Sequence, residues 1–168
     1  VLSAVLALAE EAGSAGFTMD ELADRAGVSK RTIYRWWSGR SAVLVEALLA
    51  SADRGVTRQH TGDLRTDLLT FTRTTYDTAG RQPVAGALRL IMAEGLAGGP
   101  AETTLREFVA ARRAVLLAFL AEYDLAGRDP ELIADTLFGV LWYRVLLGHA
   151  PLSGADAEAV VNEVLGGP

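Results

Sequence analysis

Cysteine is absent from the 168 residues. That removes disulfides, thiolate nucleophiles and cysteine-ligated metals, and it is neutral about compartment. Histidine is nearly absent. His60 and His149 stand far apart, in neither H-x-x-x-H nor H-E-x-x-H spacing, so no metal site is expected. No apolar run approaches the roughly 18 residues that suggest a membrane span. The opening VLSAVLALA is apolar, but it lacks a basic leader and runs into Glu10 and Glu11; it reads as a helix buried on one side rather than a signal peptide. The chain starts on Val1 rather than methionine, which leaves open whether a basic arm precedes it. G-x-S-x-G, P-loop and G-x-G-x-x-G patterns and paired catalytic carboxylates are missing as well, so neither an enzyme nor a cofactor is expected.

Strand signals are lacking too: no alternating β-branched run is bounded by Asn-Gly or Asp-Gly. Half of the residues are apolar, enough for a core, and glycine and proline punctuate a pattern that is helical almost throughout. Leu2, Val5, Leu6 and Ala9 predict a helix over Val1 to Ala12. Thr18 and Glu21 form a T-x-x-E capping box that starts a second helix ending near Gly27. Ser29 is a good N-cap for a third, running to about Trp37. A fourth helix turns Val43, Leu44, Ala47 and Leu48 inward, and Gly55 to Gly62 reads as a linker or a frayed end. Further helices are predicted over Asp63–Ala79, Val84–Leu96, Ala101–Tyr123, Glu131–Leu147 and Ala155–Leu165. The fold class is therefore all-α, with domains expected over residues 1–55 and 56–168.

The net charge of -5 argues against a protein that coats nucleic acid over its whole surface, but the charges are sorted. Ala26 to Arg40, AGVSKRTIYRWWSGR, contains Lys30, Arg31, Arg35 and Arg40, follows Arg25 and includes no acid. Lys30, Arg31, Tyr34 and Arg35 fall at i, i+1, i+4 and i+5, on one helical face. Ile33 and Trp37 fall on another, where they can be buried. A short helix with an apolar back and a basic, aromatic front is what a DNA recognition helix requires.

The run FTMDELADRAGVSKRTIYRWWSGRSAVLVEAL resembles the DNA-binding domain of tetracycline-repressor-like (TetR-family) transcriptional regulators. Thr18, Leu22, Ala23, Ala26, Gly27, Val28, Ser29, Ile33, Tyr34, Trp37, Arg40 and Leu44 occupy its characteristic positions. Arg31 stands where the family often has glycine, Trp37 where it usually has phenylalanine, and Gly39 in place of a serine. The resemblance implies an amino-terminal three-helix helix-turn-helix domain followed by a helical-bundle domain for ligand binding and dimerisation. It also implies a bacterial, cytoplasmic regulator, most simply a repressor released by an effector. On that geometry Ser29, Thr32 and Tyr34 offer hydroxyls to phosphates near the helix amino end. Lys30, Arg31 and Arg35 reach base edges, with guanine the preferred partner of arginine. Arg40 is placed for a phosphate, and Thr18 for a further backbone contact.

Such proteins read paired half-sites of double-stranded DNA as two-fold dimers. The segment LFGVLWYRVLL is apolar nearly all round, more than one inner face requires. Leu116, Leu120, Phe138, Gly139, Trp142 and Tyr143 are therefore candidates for a homodimer interface. The family senses small molecules among its middle helices. Phe71, Tyr76, Met92, Phe119 and Trp142 are candidate walls for an unidentified effector, with Arg89 and Arg112 as polar contacts. Plain core is the alternative for each aromatic or Met residue. Arg112 and Arg144 interrupt apolar faces and need partners: Asp135, Glu94 or Glu122, or else a carboxylate on the effector. The alternative function is a helical protein-interaction module whose basic patch meets an acidic partner. No membrane partner is expected.

Overall fold

A computed structural model describes residues 1–13, 16–55 and 60–166, with the backbone alone at 53–55. Among these residues the regular structure is entirely helical, with no strand. The helices are α1 (Leu2–Ala12), α2 (Met19–Ala26), α3 (Lys30–Tyr34), α4 (Arg40–Gly55), α5 (Leu64–Gly80), α6 (Val84–Leu96), α7 (Pro100–Leu120), α8 (Pro130–Leu147) and α9 (Gly154–Leu165). Of the segment expected as a linker, Gly55 belongs to α4, residues 56–59 lie outside the described residues, and 60–62 lead into α5.

Local chemistry sets most boundaries. Thr18 accepts from the Glu21 amide while the Glu21 carboxylate accepts from the Thr18 amide, closing the capping box of α2. Ser153 and Asp156 do the same for α9. Asp129 caps α8, with Pro130 in its first turn, where a missing N–H costs no helical bond. Two helices stop earlier than their apolar spacing suggests. α3 ends at Tyr34, and the Trp36 amide turns back to the Ile33 carbonyl at 3.0 Å. α7 ends at Leu120, after which the Glu122 and Tyr123 amides bond three residues back. Both are tight final turns that satisfy terminal carbonyls.

The chain divides into two compact units that do not follow chain order: Val1–Asp53 with Arg81–Phe108, and Arg54–Gly80 with Val109–Pro168. In the first, α1 packs on α2 and on α6. Val5, Ala9, Leu22, Ile33, Val43, Leu44, Ala87 and Ile91 are all fully buried. Gly86 allows the α1–α6 approach, since a Cβ there would come within 3.0 Å of the Glu10 Cα. Burying one such aliphatic side chain contributes about 1.5–3 kcal/mol, so these small sets of residues dominate the stability of each unit.

In the second unit α5, α8 and α9 pack on one another. Their core contains Leu68, Leu116, Leu120, Ala134 and Val161. Leu116 and Leu120, expected at a dimer interface, are core residues of the chain itself, with no surface left to offer a partner. Arg144 is partnered neither by the three acids expected for it nor left for an effector. It donates to Asp156 at 2.8 Å and to the Pro151 carbonyl, pinning α8 to the start of α9. Asp135 and Glu94 are taken by Arg113 and Arg40.

Asp67 is the buried carboxylate of this unit. Burial opposes its charge, but it accepts from the Tyr123 hydroxyl at 2.7 Å and from the Thr61 and Gly62 amides. These bonds prevail and hold the carboxyl at about 2. The folded value lies below the unfolded one, about 3.9. The ionised group therefore adds stability above that value, and the contribution disappears as pH falls through about 2. Asp67→Asn is expected to lower stability at pH 7 and to flatten its fall between roughly pH 5 and 2, read from denaturant midpoints across pH. An acid limb as steep as in the parent would show that other carboxylates carry it.

Candidate nucleic-acid interface

The interface is built outward from one buried side chain. Ile33 has no exposed surface and fixes the back of α3 in the first unit. Gly27, at φ 66, supplies the left-handed turn after α2, and its amide satisfies carbonyls of the last helical turn. Ser29 then caps α3, accepting from the Thr32 amide at 3.1 Å, and its hydroxyl meets the Thr32 hydroxyl at 2.8 Å. The cap geometry thus orients two candidate phosphate ligands at once.

With Ile33 inward, Arg31, Thr32, Tyr34 and Arg35 are exposed. Together with Ser29 and Trp36 they line a broad open depression of about 600 Å³. It holds hydroxyl, guanidinium and indole donors and no carboxylate, a lining suited to phosphate oxygens and base edges. Trp36 is the residue that sequence reasoning missed. It is 70% exposed, more than Tyr34 at 49%. The Arg35 guanidinium lies 5.7 Å from the centre of its ring. No local signal finds it, since helical neighbours such as Val43 and Leu44 can both be buried, and only packing shows that Trp36 faces out. Trp37 is the half-buried one, and its indole N–H donates to Glu46 at 2.6 Å.

Besides Ser29 and Thr32 in the cap, three more of the expected DNA ligands are engaged within the protein, to different degrees. Lys30 pairs with Asp20 at 2.9 Å, and the hydrogen bond raises the pKa of its ammonium group, which therefore stays charged. Both partners are well exposed, so that pair holds Lys30 only weakly and DNA can take it over. Thr18 is exposed, with its hydroxyl on Glu21 as part of the cap. Arg40 differs. Its guanidinium donates to the Phe17 carbonyl, meets Glu94 as an ion pair and lies over the Phe17 ring. With side-chain exposures of 31% for Arg40 and 14% for Glu94, this pair is shielded in a way the Lys30 pair is not. The expectation that Arg40 is presented to a phosphate is corrected here: in this conformation its donors are used internally.

The candidate effector residues are only partly brought together. Phe71 and Tyr76 line a void of about 10 Å³ in the second unit, with Thr72, Thr75, Leu116, Leu137 and Phe138. That volume admits no more than one water. Phe119 stacks on Phe71, ring centres 5.6 Å apart. Tyr76 donates its hydroxyl to the Leu137 carbonyl at 2.8 Å, and burial pushes its pKa up. Arg112 and Trp142 are half-buried in the same unit without lining the void. Arg89, exposed, and Met92, half-buried, belong to α6 in the first unit. Of the interface candidates, Gly139 and Tyr143 are exposed on α8, while Phe138 and Trp142 are half-buried.

Comparison with known proteins agrees with this geometry. Residues 1–47 match the family described as bacterial regulatory proteins, tetR family. Residues 58–164 match the tetracyclin repressor-like C-terminal domain. The HTH-type transcriptional regulator YdeS of Bacillus subtilis is 30% identical over 152 residues, spanning 88% of this chain and 77% of that protein. The solved structure of the TetR family transcription regulator SCO0332 superposes with a TM-score of 0.80 at 27% identity, covering 99% of this chain and 95% of the other. FadR from Bacillus subtilis, solved in complex with stearoyl-CoA, shares the fold at a TM-score of 0.75 and 16% identity, covering 99% and 97%. The chain belongs to the TetR family of helix-turn-helix transcriptional regulators. Among the described residues no helix is long and apolar enough to cross a membrane.

Proposed function

We propose that this regulator binds a two-fold symmetric DNA operator as a homodimer and lets go of it when a small-molecule effector binds. Residues 1–55 carry the DNA-reading face, and 56–168 carry regulation and dimerisation. The observation that supports this best is the exposed row Arg31, Thr32, Tyr34, Arg35 and Trp36 standing around the buried Ile33. Ser29, Thr32, Tyr34 and Thr18 are assigned to phosphates, and Lys30, Arg31 and Arg35 to base edges. Trp36 can lie against a sugar or a thymine methyl. The operator places the protein's work in the bacterial cytoplasm.

Dimerisation has its own support. Leu132, Gly139, Tyr143 and Leu147 fall within one face of α8, and the three large ones are well exposed. A row of that length is more than a lone surface helix leaves uncovered. The effector is assigned to the second unit, beside Phe71, Tyr76 and Phe119. The void there is too small for a ligand as it stands, so binding requires a conformation in which α5, α7 and α8 part. A ligand that prefers the parted state shifts the population toward it, and with it the spacing of the two recognition helices. FadR shows that this fold can hold stearoyl-CoA; at its low identity it does not name the effector of this chain.

Selection from random duplex DNA tests the reading. Enrichment of one palindromic site, bound with strong salt dependence, is the expected result. Enrichment of no two-fold site, together with binding to an acidic protein, would favour an interaction module instead.

A further inference from the structure

α6 belongs to the same compact unit as the DNA-reading part, and it brings one carboxylate to the start of α4. Glu94 accepts from the Ser41 hydroxyl at 2.6 Å, although the two are 53 residues apart. It also forms the ion pair with Arg40. Arg40 in turn donates to the carbonyl of Phe17, a buried residue directly before the cap of α2, and lies over its ring. The guanidinium fills the space beside Gly16, where a Cβ would come within 2.6 Å of Nη1. One acid on α6 therefore joins the amino ends of α2 and α4, the helices on either side of α3 in sequence.

That arrangement matters because α3 has only five residues and one buried side chain. A helix so short cannot hold its own orientation, and it inherits that orientation from its neighbours. We infer that Glu94 is a positioning residue for DNA binding. It neutralises Arg40 so that the guanidinium stays on the Phe17 carbonyl, and by doing so it fixes the α3 face rather than touching DNA. Without Glu94 the half-buried guanidinium loses its counter-charge and is better solvated turned outward. Phe17 then loses its donor, and the amino ends of α2 and α4 are no longer tied together.

The inference rests on the reading of α3 as the DNA face, and the test separates the two. Wild type, E94Q and R40Q are titrated with the selected operator and with a scrambled duplex of equal length, across a series of salt concentrations. Positioning predicts that E94Q weakens operator binding by about tenfold while binding to the scrambled duplex stays within about twofold, because non-specific binding depends on charge more than on geometry. R40Q should lose operator affinity in the same way with an unchanged salt slope, and the E94Q/R40Q double variant should be no worse than the weaker single. A general loss of folded protein would lower both duplexes equally. A fall of about one in the slope of R40Q would mark Arg40 as a phosphate ligand. Either result, or an E94Q variant that binds the operator like wild type, overturns the inference and leaves the DNA-binding reading standing. Should E94Q not fold, S41A removes one arm of the same clamp, and it should show the same operator-selective loss at smaller size. If wild type itself selects no site, the reading beneath the inference falls, and the inference falls with it.

Discussion

The selected operator is expected to lose most of its affinity when Arg31 and Arg35 are both cut back to alanine. Each bidentate arginine–guanine pair discriminates by about 1–3 kcal/mol, so losing two costs from about thirtyfold to about twenty-five-thousandfold if the effects add. The loss is largest at the base pairs those arginines read, which a second selection with the double variant would reveal as relaxed positions. Both side chains are exposed, and neither takes part in the caps of α2 or α3. The fold and the dimer should therefore survive, as circular dichroism and sedimentation can check. Specific binding that persists undiminished in the double variant would place the recognition face elsewhere. Trp36→Ala is the natural companion: its ring lies beside Arg35 and is largely exposed, so its loss should appear on DNA more than in stability.

Gly139→Arg is expected to have the second largest effect, by a different route. Among the described residues nothing outside its own helix lies within 4 Å of where a Cβ would stand at this position, which is within α8. An isolated chain should accept the arginine and even gain up to about 1 kcal/mol, since glycine is a poor helix residue. In the proposed dimer, a partner helix packed against Gly139 would leave no such room, so the variant should sediment as a folded monomer. Operator affinity should then collapse, because one recognition helix must bind its half-site without its twin. Gly139→Ala provides the control, adding one methyl where close approach is tested most gently. If Gly139→Arg remains a dimer with unchanged operator binding, the α8 face is not the interface.

Much of the reading head was legible because its determinants are local. Thr18 with Glu21, Gly27 and Ser29 act over three or four residues, and the spacing of Ile33 from Trp37 shows which side of α3 turns inward. The fate of Arg40 was not legible. Its position at the head of α4 suggests a phosphate ligand, while the acid that claims it lies on α6, where sequence spacing carries no information about proximity. Arg144 teaches the same point, since its partner Asp156 follows a turn that periodicity does not resolve. Leu116 and Leu120 were misplaced among the interface candidates for another reason. α8 carries apolar residues on nearly every side and α7 ends in an apolar run, so spacing alone could not tell the buried Leu116 and Leu120 from the exposed Leu132 and Leu147. The composition announced a surplus of apolar surface, and only packing shows where it comes to lie.

The close seat of Gly86 against α1 has a practical side for anyone building hybrid regulators. A junction placed in the 48–57 gap between the two family matches looks like a clean seam, because it keeps the whole helix-turn-helix together. It also exchanges the native α6 for a foreign helix, although α6 closes the core around Val5, Ala9 and Ile91. A donor helix with any side chain at the position of Gly86 would press on the Glu10 backbone, which would have to yield by a few tenths of an ångström. A graft that is to keep its original operator should bring residues 81–108 along with the head, or choose a donor that has glycine at that crossing.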